Sequence, residues 1–458
     1  MKKVKAVFYE TQRHCAGIDL AATADHYICG PRNDDGTHDV EHFGNTTNEI
    51  ARMVEWCKAR KVEVVAMEST GVYWKIVWEM FMKSGILAIV VDTRTAKMVP
   101  GRKSDMNDCC WLQQLLSCGL LKPCFMPPRE FDAIRTVMRE KQNVIDDSVQ
   151  ALQAMQKALD LMNVRVHHAV SDIDGVTGLA IIGAIVGGER DPAKLAELRD
   201  VRCKKSEEQI REELTGTWSD EHIFNLKMAY ERLLFLNGQI AEYDRTIQRM
   251  IHELAQTHAK MAESDVVLGK KKQRHPKRIE TDEQLRIDLA MLAGFDIVSI
   301  DGVGVDTACR VLAEMGNDLT CFPTERKFLS YVGLAPPLAK SAGKNLKKKN
   351  KRKNNHPVGL GLRQAVGVLM RGSQSGIGAL GRAVKSRCTA KAGVIAMARQ
   401  VAKFIYRGMM YGNAYVDIGA KEYEERRRNS TVKNMKKKIK AYDITAEELG
   451  LEMPYKVA

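Results

Sequence analysis

The sequence predicts an N-terminal α/β domain, a long helical middle and a mostly α-helical C-terminal domain. Three observations support this division: short β-like runs alternate with helical runs near the N-terminus, two heptad seams follow, and glycine turns with amphipathic runs fill the rest. The predicted parts are an α/β domain at 1–128, a coiled-coil region at 129–268 with an insert at 171–218, a basic linker at 269–291, a C-terminal domain at 292–418 and a charged tail at 419–458.

The N-terminal part contains five strand candidates. Residues 16–20 form a compact buried run, and residues 27–29 with 39–43 have the pattern of a hairpin. Further along the chain, helices are predicted at 46–59, 71–83 and 105–118, and strands at 62–67 and 86–91. Three strands followed by alternating helices and strands predict a ribonuclease-H-like fold.

Two apolar seams in the middle region step by four and three residues, as in a coiled coil. The first covers 134–166 and is interrupted by Lys141 and Ser148; the second covers 226–254. Such helices pack as an antiparallel hairpin or pair between chains, and the pattern leaves both arrangements open. Between the seams, five glycines predict a turn region, followed by a small helical insert: Gly175, Gly178, Gly183, Gly187 and Gly188.

Composition narrows the class of partner. The chain has 458 residues with a formal net charge of +14, a surplus that suits nucleic acid first and an anionic membrane second. Apolar runs fall short of the roughly 18–20 residues of a membrane span, and the N-terminus lacks a signal-peptide stretch, so we expect a cytoplasmic, nucleoid-associated protein without a membrane partner. The eleven cysteines form no Cys-x-x-Cys pair, and Cys109, Cys110 and Cys118 are predicted to be packed, inert thiols.

Four carboxylates stand at positions that suit a metal site. Asp19 lies in the first strand, Glu68 ends a later strand, and Asp105 with Asp108 share one helix face. In a ribonuclease-H-like sheet these strands lie side by side and the helix crosses their ends. Close carboxylates repel one another unless cations compensate them, and oxygen-only ligands favour Mg²⁺ or Mn²⁺. The alternative is structural: a turn-capping Asp19 and a solvated helix start.

The C-terminal region offers two candidate phosphate-binding features. A helix-hairpin-helix-like turn at 301–304 precedes a helix at 306–315, so the backbone N–H groups of Gly302 and Gly304 can meet a phosphate, although a plain structural turn explains it equally well. Helices are predicted at 358–370 and 389–410. Eight cations without any acid, which repel one another in the absence of a polyanion, form a basic run: Lys340, Lys344, Lys347, Lys348, Lys349, Lys351, Arg352 and Lys353. A solvated loop is the alternative.

With these blocks in place, the chain resembles the DEDD transposases of the insertion-sequence family numbered one hundred and ten. The N-terminal resemblance rests on three acidic blocks: Gly17-Ile18-Asp19, Met67-Glu68-Ser69-Thr70-Gly71-Val72-Tyr73-Trp74 and Gly101-Arg102-Lys103-Ser104-Asp105-Met106-Asn107-Asp108. The C-terminal resemblance rests on five more: Asp301-Gly302-Val303-Gly304, Tyr331-Val332-Gly333-Leu334-Ala335-Pro336, Ser341-Ala342-Gly343-Lys344, Leu362-Arg363-Gln364-Ala365 and Tyr411-Gly412-Asn413-Ala414-Tyr415.

The resemblance implies a RuvC-like N-terminal domain and a C-terminal domain that carries a serine nucleophile. Ser341 matches that serine by position, and Ala342 stands where the family usually has glycine. Residues 172–218 look like the insert of the longer members. The resemblance further implies a bridge RNA, encoded by the element, that selects donor and target DNA.

The leading hypothesis is a transposase that cleaves and rejoins DNA through a phosphoserine intermediate with help from Mg²⁺. An isolated serine hydroxyl needs activation, and Ser341 is far along the chain from the acids, so its partner arrives through folding or from another protomer of a dimer or tetramer. Lys340 and Lys344 would hold the scissile phosphate. The alternatives are a RuvC-like nuclease that hydrolyses DNA, with Ser341 a plain loop residue, and a non-catalytic nucleic-acid scaffold.

Overall fold

The protein is described by a computed structural model that covers residues 11–22, 25–69, 71–91, 105–203, 205–269, 283–335, 340–341, 344–345, 356–412, 418–444 and 448. Within these ranges, side chains are described except those of residues 105–107, 340–341 and 344–345. The chain forms two compact units, Met1–Met126 and Pro127–Ala458, and each is described by itself.

The first unit is built on a five-stranded mixed sheet in the order β3-β2-β1-β4-β5. β1 pairs antiparallel with β2 and parallel with β4, and β4 pairs parallel with β5. The strands are β1 (Cys15–Asp19), β2 (His26–Arg32), β3 (His38–Phe43), β4 (Val64–Glu68) and β5 (Leu87–Val91), and the helices are α1 (Thr47–Ala59), α2 (Trp74–Lys83) and α3 (Asp105–Ser117). The predicted α/β domain and its order of strands and helices are confirmed.

Helices cover both faces of this sheet. On one face Ile18 and Met67 pack with α1 and α2, and on the other Cys15 and Ala66 pack with α3. Central strands buried on both faces have continuous apolar sequences, which explains why β1 and β4 read as compact buried runs. Because side chains along a strand point alternately to the two faces of the sheet, every second residue of β1 and β4 faces α3.

Gly17 permits the close approach of β1 and α3. A Cβ at this position would lie 2.2 Å from the carbonyl oxygen of Cys109 and 2.4 Å from the backbone nitrogen of Gln113. Backbone atoms cannot move aside as a flexible side chain can, so only glycine lets α3 lie this close to the strand.

We expect Gly17→Ala to destabilise the protein by roughly 1–3 kcal/mol or more, because the added methyl forces α3 off the sheet. Urea unfolding followed by circular dichroism measures this. Gly238→Ala is the matched control, since nothing lies within 4 Å of its added Cβ and the residue is inside a helix. The control should be neutral or stabilising by about 0.5–1 kcal/mol. Equal stability of the two variants would contradict the close packing of α3.

The second unit begins with two long helices that pack against each other. They are α4 (Arg129–Leu161), of 33 residues, and α9 (Asp220–His258), of 39 residues. Lys141 pairs with Asp244 and Asp147 with Arg232, so higher positions on α4 meet lower positions on α9 and the helices run antiparallel. Of the two arrangements left open by the heptad pattern, the hairpin within one chain is present.

The predicted glycine-rich turn region is correct only at its ends, where Gly175, Gly187 and Gly188 lie in bends or turns. Residues 176–186 form a buried apolar helix, and the glycines within it serve close packing. A Cβ on Gly178 would lie 2.4 Å from the carbonyl oxygen of Ile173, and one on Gly183 would lie 2.9 Å from the Tyr230 hydroxyl. The insert consists of α5 (Val166–Ala169), α6 (Val176–Val186), α7 (Pro192–Glu197) and α8 (Glu207–Leu214), and it shares one apolar core with α4 and α9.

The remainder of the described chain is mostly helical. Its helices are α10 (Glu283–Ala293), α11 (Val305–Met315), α12 (Glu325–Tyr331), α13 (Pro357–Gly367), α14 (Gly376–Lys385), α15 (Ala390–Tyr411) and α16 (Gly419–Ala441), with 3-10 turns at Glu263–Asp265, Ile297–Ser299 and Val368–Arg371. A short hairpin joins β6 (Lys340–Ser341) to β7 (Lys344–Asn345). The predicted linker is wrong from residue 283 onward, because α10 begins there and buries an apolar face. Residues 270–282 of the predicted linker lie outside the described residues.

Lys141 explains one interruption of the first heptad seam. Its buried ammonium donates to Asp244 Oδ1 at 2.6 Å and to Asp306 Oδ1 at 2.9 Å. Burial by itself lowers the pKa of Lys141, but the two carboxylates outweigh burial and raise it. The three charges tie α4, α9 and α11 together. A second link is bidentate, from Arg139 to Glu314 at 2.9 and 2.8 Å.

Candidate functional site

Two of the predicted acids lie at one edge of the N-terminal sheet. Asp19 is the last residue of β1 and Glu68 the last residue of β4. Ile18 of β1 is paired with Met67 of the parallel strand β4, and Asp19 and Glu68 are the next residues of these two strands. Parallel strands end at the same edge, so Asp19 and Glu68 are adjacent there. Both side chains are partly exposed.

The same two acids share the face that α3 covers. Side chains alternate along a strand, so Asp19 lies on the side of Cys15 and Gly17, and Glu68 on the side of Ala66. That side packs against α3. Strand alternation therefore places both Asp19 and Glu68 on the α3 side of the sheet.

Asp108 lies in those turns. The next residue, Cys109, is the one whose carbonyl oxygen touches Gly17. The pKa of the Cys109 thiol is raised first by a hydrogen bond with Cys110 and by burial, and further by the negative charge of Asp19. Asp19 is therefore near α3 at the level of Asp108, which has an intermediate exposure.

Asp105 is the first residue of α3 and its side chain lies outside the described residues. Its spacing of three from Asp108 puts the two on one helix face. Among the side chains that the structure describes, no group of three or more His, Cys, Asp or Glu is placed to hold a metal ion. The four-carboxylate site thus stays a prediction, with Asp19, Glu68 and Asp108 on elements that meet at one edge.

Sequence reasoning missed a group of thiols beside this edge. Cys110 hydrogen-bonds with Cys109 and with Cys29 of β2, and these bonds lower the pKa of Cys110 while they raise the pKa of the other two thiols. Cys29 stands opposite Gly17 in the sheet. All eleven cysteines are free. Nothing in the spacing of Cys29 and Cys110 along the chain signals their contact, which depends on sheet pairing.

Ser341 lies in the β6–β7 hairpin. Its backbone pairs with Lys344, and Lys340 pairs with Asn345, so Ser341 directly precedes the two-residue connection Ala342-Gly343. The side chains of Lys340, Ser341 and Lys344 are outside the described residues, as are residues 346–355 with the rest of the basic run. The roles predicted for these residues remain predictions.

The turn before α11 has a clear structural role. Gly302 has a φ of 83°, a conformation that favours glycine, and it packs against α13, where an added Cβ would lie 3.1 Å from the carbonyl oxygen of Ala365. Gly304 is the N-cap of α11 without a side-chain hydrogen bond, and open space surrounds its Cβ position. The turn thus holds the helix start in place, while phosphate binding by Gly302 and Gly304 remains a prediction.

The chain thus consists of an α/β unit with acids at one sheet edge and a basic, largely helical unit. Comparison with known families shows that the chain is a transposase. Residues 16–164 match a family model for DEDD transposases of the IS110 type, described as "Transposase", and residues 296–371 match "Transposase IS116/IS110/IS902 family". The chain belongs to the IS110 family of DEDD transposases. A search of curated proteins finds no matching relative.

The two matched ranges contain the predicted site residues. The first includes Asp19, Glu68, Asp105 and Asp108, and the second includes Ser341 and the basic run. Membership of a transposase family implies that the chain binds DNA. In the part of the chain that the structure describes, no helix is both long and apolar enough to cross a membrane.

Proposed function

We propose that this transposase cleaves and rejoins DNA strands with a divalent-metal site at the β1–β4 edge and with Ser341 as the nucleophile. The observation that carries the proposal is the placement of Asp19 and Glu68 on the same edge and the same face of neighbouring parallel strands, facing the helix that carries Asp108. The strand order with β1 at the centre, between an antiparallel and a parallel neighbour, supports a ribonuclease-H-like, RuvC-like identity for this unit.

The donor set of the edge fits Mg²⁺ or Mn²⁺. Asp19, Glu68, Asp105 and Asp108 supply only carboxylate oxygens, the ligands that hard divalent cations prefer. Bound there, two such ions would neutralise the clustered carboxylates, activate an attacking oxygen and stabilise a leaving one. The protein's own part would be to hold the carboxylates in one place, and the parallel pairing of β1 with β4 and the close packing at Gly17 support this role.

Ser341 would divide strand exchange into two transesterifications. In the first, its Oγ attacks the scissile phosphorus, the bond to one deoxyribose oxygen breaks, and that oxygen leaves as a hydroxyl. In the second, a hydroxyl of the new partner strand attacks the phosphoserine and releases the serine. The phosphodiester energy is conserved, so rejoining needs no external energy source. Lys340 and Lys344 flank the serine along the hairpin and would bind the phosphate.

The products of the wild-type protein distinguish this proposal from its alternatives. On labelled supercoiled DNA carrying the element's ends, incubated with Mg²⁺, strand exchange through serine should give a protein–DNA adduct and recombinant DNA. Free cut ends without an adduct would support a RuvC-like hydrolytic nuclease, and binding without any cutting would support a nucleic-acid scaffold. Sequencing of nucleic acid that purifies with the protein tests the proposed bridge RNA, which should appear as one structured RNA encoded by the element.

The basic run is proposed to bind nucleic acid. We expect replacement of Lys347, Lys348, Lys349, Lys351, Arg352 and Lys353 by Ser to weaken nucleic-acid binding and to flatten its salt dependence. Each lost phosphate contact should lower the slope of log affinity against log salt by about 0.9 on duplex DNA and about 0.7 on single strands. Fluorescence anisotropy over a salt series measures the slope, and an unchanged slope would show that these side chains remain in solvent.

The active protein is proposed to be a homo-oligomer, a dimer or tetramer. The outside of the α4–α9 hairpin supports this, because Phe224, Met228 and Phe235 of α9 and Leu161 of α4 are 60%, 42%, 66% and 55% exposed. The first three recur at spacings of four and seven residues, on one side of the helix. Large apolar side chains aligned in this way are typical of an interface.

Shared sites would follow if one protomer's Ser341 completes its partner's carboxylate edge. We expect a mixture of Asp105→Asn protein and Ser341→Ala protein to regain some recombination. In a mixed oligomer, Ser341 of the Asp105→Asn protomer would complete the intact carboxylate edge of the Ser341→Ala protomer. Mixed species are verified by differently tagged subunits before the assay. A complete lack of rescue in verified mixed oligomers would indicate that each site is built within one chain.

A further inference from the structure

α16 presents the most concentrated positive charge in the described part of the chain. Residues 426–440 contain eight basic residues and no acid, and every one of the eight side chains is exposed: Arg426, Arg427, Arg428, Lys433, Lys436, Lys437, Lys438 and Lys440. The helix is attached at its other end, where Ala420 is buried and its N–H donates to the carbonyl oxygen of Gln374 at 2.7 Å, near α14. The basic segment therefore extends from an anchored start.

Four of the lysines form one continuous face. Lys433, Lys436, Lys437 and Lys440 follow the spacings of three, four and seven residues that align side chains on a helix. Together with Asn429 and Val432 they line a shallow depression of the surface. Arg427 and Lys438 lie about 130–150° around the helix axis from the centre of this face, so positive charge also occupies nearly the opposite side of the helix.

This charge is not compensated within the segment. The acids of α16 are in its first turns, and Glu422 pairs with Arg426 at 2.7 Å. In the described part of the chain, the other seven cations form no ion pair. Like charges four residues apart, as at Lys433 with Lys437, oppose helix formation by about 0.2–0.5 kcal/mol a pair. Such an arrangement costs stability in isolation and gains it beside a polyanion.

We propose that residues 426–440 of α16 are a DNA-binding arm that lies along the major groove of duplex DNA and contacts phosphates with the lysine face. This deepens the proposed function, since it rests on DNA as the substrate. B-form DNA has a major groove about 12 Å wide, which admits a helix of about 10–12 Å diameter. The major groove of A-form RNA is too narrow for side chains to read. The segment spans about 21 Å, or roughly six base pairs.

The test is equilibrium binding of the full-length protein to a 30-base-pair duplex without element sequences, in EDTA, over a salt series. Lys433, Lys436, Lys437 and Lys440 are replaced by Gln, a good helix former that keeps α16 helical by circular dichroism. The matched control replaces Lys58, Lys83, Lys194 and Lys227 by Gln, four exposed lysines that each pair with an acid. Both variants lose four positive charges, so they differ in the position of the lost charges and in whether those charges were paired with acids.

The α16 variant should lose affinity by about tenfold or more, and its salt slope should fall by roughly 2 to 4, whereas the control should bind as the wild type does. An equal loss in both variants, or no loss in either, would overturn the proposal. So would an equal effect on duplex RNA of the same length, or binding of the arm to anionic vesicles in place of DNA. Because the assay contains no metal and measures no cleavage, its result is independent of whether the proposed chemistry at Ser341 is correct.

Discussion

Ser341→Ala is expected to abolish both the covalent protein–DNA adduct and recombination, with a loss of roughly 10⁴-fold or more, because no other hydroxyl can form the phosphoserine. DNA binding should persist, since loss of one hydroxyl costs about 1 kcal/mol and does not unfold a protein of this size. Denaturing gels with labelled DNA measure the adduct, and mass spectrometry should place the linkage on the peptide that contains Ser341.

Two further variants sharpen this result. Ser330→Ala removes an exposed hydroxyl from α12 of the same unit and should leave adduct and recombination unchanged. Ser341→Cys keeps a nucleophile, so some cleavage should remain while rejoining slows. If an adduct of normal yield persists in Ser341→Ala, the nucleophile is another group of the protein. Cleavage to free ends without any adduct would favour hydrolysis by metal-activated water.

The second large effect is expected at the carboxylate edge. Asp105→Asn should lower strand cleavage by at least about 10²–10³-fold, because it removes one negative charge from the proposed metal ligands without changing side-chain volume. Folding and nucleic-acid binding should be nearly those of the wild type. Asp34→Asn, which alters an exposed turn of the same unit, is the control. Full activity of Asp105→Asn, or of the wild type in EDTA, would remove the metal from the mechanism.

Much of the first unit was predictable because its strands are short, apolar and separated by clear helical segments. The order of elements follows directly from those patterns, and the adjacency of Asp19 and Glu68 follows from the pairing of β1 with β4. The close contact at Gly17 was not predictable, because a glycine in a strand does not show which backbone approaches it. Its partner Cys109 is more than ninety residues further along the chain.

The second unit shows why glycine content misled the sequence analysis. Glycines such as Gly178 and Gly183 are typical of turns, but the neighbouring isoleucines at 181, 182 and 185 are buried. Their tertiary packing overrides the low helix propensity of glycine. Conversely, Lys141 in a heptad seam looked like a defect in a coiled coil. Its partner Asp306 lies outside both seams, so no periodicity within the seams could reveal the ion cluster.

The ion cluster at Lys141 also has a consequence for the order in which a nascent chain can fold. Lys141 and Asp306 are 165 residues apart. At about 5–20 residues per second, the ribosome adds Asp306 roughly 8–33 seconds after Lys141. Until then the ammonium of Lys141 has only Asp244 to meet, so the α4–α9 hairpin can close but its charged layer is incomplete. A polypeptide released before α11 would carry a buried lysine short of one carboxylate, and cellular proteases would distinguish it from the finished protein by its looser hairpin.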